Sequence, residues 1–159
     1  MTVGIILRDS AEPSSPHIGS VKGIGMLQFI QFIAVFSCAI FAGASVYINL
    51  VEHPARMGCG TLVAATQWAP SYKRATAMQA TLALLSLVCG AWAWLLSDVF
   101  GWLLGALLIG LVVPFTFLVI MPVNGRLLSP GRDLSSQQTN QLLQKWGTLH
   151  AVRSVLSAF

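Results

Sequence analysis

Two short strings hold most of the residues in this chain that can do chemistry. In "INLVEHPARM", residues 48–57, an asparagine, a carboxylate, an imidazole and a guanidinium (Asn49, Glu52, His53, Arg56) crowd around Pro54. In "WGTLHAVRS", residues 146–154, Trp146, His150 and Arg153 fall at i, i+4 and i+7, on one face of a helix. Histidine changes charge near neutral pH and serves as a base or a metal ligand. Arginine supplies fixed donors for an oxyanion. Asn124, in "MPVNGR", adds a neutral donor, and Trp68 and Tyr72 add flat faces. Plainer roles exist for each. A histidine at a membrane edge is often interfacial, Trp68, Tyr72 and Trp146 suit interfacial anchors, and Arg153 beside Glu52 would make a structural ion pair.

The elements that position these residues follow from composition. Of 159 residues, 55% are hydrophobic and 9% charged, and the mean hydropathy is strongly positive. A chain so composed uses lipid as its solvent. The net charge of +4 comes without a basic run, so nucleic acid is not an expected partner. Cys38, Cys59 and Cys89 form no C-x-x-C, which argues against a disulfide framework or a zinc site. The chain reads as a polar tail, 1–24, and one membrane domain, 25–159. Its first apolar run is too long for a cleaved signal and is read as retained.

Helices are expected over about 25–53, 72–97, 101–121 and 139–159. The short link at 97–100 makes its two helices antiparallel neighbours. The expected fold is therefore all-α, an integral-membrane antiparallel four-helix bundle with a short fourth helix. Pro54 should turn the chain at His53, and "GWLLG", 101–105, is a small-x-x-x-small pattern. Basic residues concentrate in the segments 52–75 and 122–145, which the positive-inside rule makes cytoplasmic, with both termini opposite. Asn49, Glu52, His53, Tyr72, Asn124, Trp146, His150 and Arg153 then meet at one end of the bundle. Glu52 is the expected nearest acid to Arg153, and Arg56, Arg126 and Lys145 count as topology charges.

The blocks "YINLVEHPAR", "WAPSYKRATAMQA", "MPVNGRLL" and "WGTLHAVRS" occur in the order found in the anthrone oxygenase family, which this chain resembles over about residues 30–157. The resemblance implies a small four-helix membrane protein that oxidises a flat, apolar anthrone or hydroquinone with dioxygen and no other cofactor. It implies a base, His53 or His150, and donors for the enolate oxygen, Arg153 and Asn124. Asn49, Glu52, Trp68, Tyr72 and Trp146 would surround the ring. Two other classes stay open: a metal or haem protein ligated by His53 and His150, and a non-catalytic subunit or small-molecule binder. A transporter fits less well, because paired broken helices are missing.

Overall fold

A computed structural model of the protein describes residues 18–158, with side chains for 23–157. Among these residues the fold is all-helical, in four rods. The first runs through α1 (Ile18–Tyr47), a π turn (Ile48–Glu52) and α2 (His53–Gly58). The second is α3 (Thr61–Ser97). The third joins α4 (Phe100–Phe115), a π turn (Thr116–Ile120) and α5 (Met121–Leu127), and the fourth is α6 (Gln137–Ala158). Most of the tail 1–24 lies outside the described residues, and α1 is already helical from Ile18.

Three segments, Gly23–Gly58, Thr61–Ser97 and Phe100–Leu127, are long and apolar enough to cross a membrane. The pattern of exposure is inside-out for a water-soluble protein. Leu50 is 73% exposed and Leu118 76%, whereas His150 is 2% and Asn124 1% exposed. Such surfaces belong in lipid, where polar groups must turn inward. α6 is not apolar enough to join the three, although its 22 residues reach about 33 Å. Its bounds match the helix expected over 139–159 to within two residues.

Both π turns have the same cause. Pro54 and Pro122 carry no N–H, so the carbonyls four residues earlier lose their donor. In each case the residue before the proline bonds five residues back instead: His53 N–H to Ile48 O, and Met121 N–H to Thr116 O. The helix runs on through His53 (φ −68°, ψ −46°), so the expected turn at Pro54 does not occur. One residue inserted into a turn rotates the following helix by about 100°. Arg56 and Asn124, each two residues beyond its proline, are both buried.

The segment expected as a loop, 52–75, is helical except at Cys59 and Gly60. Gly60, at φ +86°, makes the break in a region that favours glycine. α3 starts at Thr61 and continues through Pro70. Losing one hydrogen bond there is cheaper than leaving Ala64, Ala65 and Trp68 outside the core they help to build. α3 and α4 pack tightly at two glycines, where a Cβ on Gly90 would lie 3.3 Å from Ala106 Cβ and one on Gly110 3.3 Å from Leu87 Cδ1. The working small pair is thus Ala106 and Gly110; Gly101 and Gly105 face open space.

Elsewhere, buried hydroxyls and amides join the rods. Ser86 donates to Ala34 O (3.1 Å) and Gln79 to Ser45 Oγ (3.1 Å). α6 opens on a cap in which Ser136 Oγ accepts the Thr139 N–H (3.2 Å). The Ser135 hydroxyl and amide hold the nearby Asp133 carboxyl below the usual carboxylate range.

Candidate functional site

A cavity of about 280 Å³ lies between α3 and the third rod. Leu84, Val113 and Phe117 border it and are exposed on the outer surface. Phe41 and Ile48 line it from the first rod; Trp146, His150 and Arg153 line it from α6. Arg56, Tyr72, Gln79, Asn124 and the hydroxyl residues Ser71, Thr76 and Thr116 add polar groups to a mostly apolar wall.

The hydrogen bonds around His150 fix its tautomer. Ser154 spends its hydroxyl proton on His150 O (2.9 Å), so its oxygen accepts from Asn49 Nδ2 (2.6 Å). That orientation turns Asn49 Oδ1 toward His150 Nδ1 at 2.8 Å, which must carry the proton. The lone pair then sits on Nε2, where Arg153 Nη2 donates at 3.0 Å. The same Arg153 nitrogen donates to Gln79 Oε1, and its guanidinium stands 5.4 Å from the Phe41 ring centre. Arg153 is therefore a buried cation held by neutral acceptors. Glu52 is not its partner, contrary to expectation. The Glu52 carboxylate takes the Arg56 guanidinium, the Gln67 amide (3.0 Å) and the Ser71 hydroxyl (2.7 Å). Arg56 wins because it lies one turn away on the same helix, where the pair forms at little entropic cost.

The aromatic residues form a connected stack. Trp68 lies parallel to Tyr72 (centroids 5.0 Å, 7°) and edge-on to Trp146 (5.7 Å, 82°). Trp146 contacts both imidazoles, at 4.8 Å for His150 and 5.2 Å for His53. The two histidines thus flank one indole. A Cβ at Gly147 would come within 2.5 Å of His53 Nε2, so this glycine makes room for the ring. Among the described residues, no three of His, Cys, Asp and Glu gather as a metal-binding group.

Of the residues expected at the site, Tyr72, Asn124, Trp146, His150 and Arg153 line the cavity. His53, Asn49, Glu52 and Trp68 do not. His53 is set behind Trp146, Asn49 behind His150, Trp68 behind Tyr72, and Glu52 against Arg56. Arg56, Ser71, Thr76, Gln79 and Thr116 also line the cavity and were not expected at the site. Arg56 counted only as a topology charge, although its i, i+4 spacing from Glu52 already made a buried pair available. Gln79 accepts from Arg153 and so holds its guanidinium.

No curated protein and no solved structure matches the chain. The family model for anthrone oxygenase matches residues 68–159, more than half of the chain and the part that supplies most of the cavity wall. The chain belongs to the anthrone oxygenase family.

Proposed function

We propose that this protein is an oxygenase of a flat, apolar phenolic substrate of the anthrone or hydroquinone class, working on dioxygen without a metal or organic cofactor. The observation that carries the reading is His150 in its Nδ1–H form, its Nε2 electron pair accepting from a buried guanidinium in an apolar cavity. The substrate oxygen draws Arg153 off Nε2, which frees that nitrogen to take a proton from the substrate methylene. Arg153 holds the enolate oxygen, and an apolar wall strengthens that interaction.

The enolate gives one electron to dioxygen, and the two radicals join as a carbon–oxygen bond. Protonation makes the hydroperoxide. Loss of the second methylene proton with cleavage of the O–O bond leaves the ketone and one water. Atoms and electrons balance with one dioxygen per methylene oxidised.

The setting is an antiparallel four-helix membrane bundle. Opposite running senses of α1 and α3 are supported by the pairing of Ser45 with Gln79 and of Ala34 with Ser86. The 36 residues of Gly23–Gly58 reach about 54 Å, well beyond the roughly 30 Å hydrocarbon layer. The end bearing Arg56, Lys73, Arg74, Arg126 and Arg132 then projects into the cytoplasmic interface. Substrate dissolved in lipid enters past Leu84, Val113 and Phe117.

The test is oxygen consumption by protein in lipid nanodiscs, offered a panel of anthrones and hydroquinones with and without a chelator. The proposal expects quinone formation at one dioxygen per anthrone, unchanged by the chelator. Loss with chelator and recovery with iron or copper would make His53 and His150 ligands instead. Tight binding without oxygen uptake would make the protein a carrier.

A further inference from the structure

The cavity has an unbalanced set of polar groups. Four buried donors on its lining residues lack any hydrogen-bond partner: Arg56 Nε, Asn124 Nδ2, Trp146 Nε1 and Arg153 Nε. Only one buried acceptor there is equally bare, Asn124 Oδ1. Leaving such groups empty is costly in an apolar wall. A ligand that completes them must bring acceptors. Its charge follows too. Glu52 offsets Arg56, but Arg153 has no carboxylate partner among the described residues. The lining therefore carries a net positive charge and favours an anion.

These donors sit at two levels. Arg153 lies seven residues beyond Trp146, about 10 Å along α6. The Arg153 level belongs to the chemistry proposed above. The other level is built by a repeated device, since each proline-linked π turn presents the residue two places beyond its proline, Arg56 from one rod and Asn124 from another. Tyr72 and the apolar residues between the levels suit a flat body.

We propose that Arg56, Asn124 and Trp146 form a subsite for an acid group, a carboxylate or an ionised phenol, carried on the aromatic substrate at the end remote from the reacting carbon. This rests on reading the cavity as the substrate site, and it names a substrate class: aromatic acids. Arg56 supplies its unpartnered Nε–H, the Asn124 amide and the Trp146 indole N–H supply neutral donors, and the uncompensated charge of Arg153 favours the anion over the neutral ring.

The test is binding without dioxygen, so turnover plays no part. Protein in nanodiscs is titrated with anthracene, an anthracene carboxylate, an anthracene methylammonium and a straight-chain fatty acid. The carboxylate should bind about tenfold or more tighter than anthracene, and the ammonium should bind weakest. Arg56→Gln and Asn124→Leu should each abolish that preference and leave anthracene affinity unchanged. Arg56→Gln also strands Glu52 and can unfold the protein, so Asn124→Leu is the decisive variant. It should raise the melting temperature of the ligand-free protein while weakening the carboxylate, because it removes an amide that only the ligand satisfies. Equal binding of anthracene and its carboxylate by the unaltered protein would overturn the subsite. So would an Asn124→Leu protein that keeps the preference. A fatty acid binding as tightly as the anthracene carboxylate would overturn the aromatic part. Acid binding by a protein that consumes no oxygen would separate the subsite from the proposed oxidation.

Discussion

The two proline-linked π turns are built alike and finished differently. Ile48–Glu52 leads through His53–Pro54 to Arg56, and Thr116–Ile120 leads through Met121–Pro122 to Asn124. Both rotate a polar residue inward against one core that contains Ile48, Ile120, Val123 and Trp146. On the first, Glu52 gathers Arg56, Gln67 and Ser71 and ties the first rod to α3. On the second, neither side-chain atom of Asn124 meets a partner. The first turn is completed by the protein itself except at Arg56 Nε. The second waits for something else, and this difference separates a structural polar cluster from a receptive one.

The comparison can be broken by making the same kind of substitution at both positions. Arg56→Leu should destabilise the protein by about 2–3 kcal/mol, because it strands a carboxylate whose side chain is only 23% exposed. Asn124→Leu should shift the melting temperature the opposite way. Thermal unfolding of both variants in one detergent checks the contrast; destabilisation at both positions would mean that Asn124 is already satisfied in the resting protein.

A smaller effect is expected at Gly147. Its missing Cβ leaves room for the His53 ring at 2.5 Å from Nε2 and 2.7 Å from Cδ2. Gly147→Ala should cost about 1–2 kcal/mol as that ring is displaced. Combining it with His53→Ala should restore most of the loss; a double variant as unstable as the sum would show that Gly147 matters for another reason.

Much of this architecture was legible from residue types. Apolar runs marked three rods, and of the eight residues expected together at one end, Tyr72, Asn124, Trp146, His150 and Arg153 line the cavity whereas Asn49, Glu52 and His53 do not. What stayed hidden depended on local competition. Pro54 reads as a break, yet a π turn absorbs it within one continuous helix. The second helix was expected from residue 72, yet the packing of Trp68 carries α3 through Pro70 back to Thr61. Arg153 invited pairing with Glu52 by depth alone, but Arg56 stood one turn away and took it. Spacing also could not rank the histidines, because their difference lies in which side of Trp146 each ring occupies.

That ranking gives the most direct test of the central claim, that His150 is the base. Oxygen consumption should be measured for His150→Ala and His53→Ala in identical nanodiscs with the best anthrone. The account predicts that His150→Ala loses about 10²-fold or more in rate, while His53→Ala, once shown to be folded, stays within a few fold of the unaltered protein. A folded His150→Ala protein that keeps full activity, or a loss confined to His53→Ala, would contradict it.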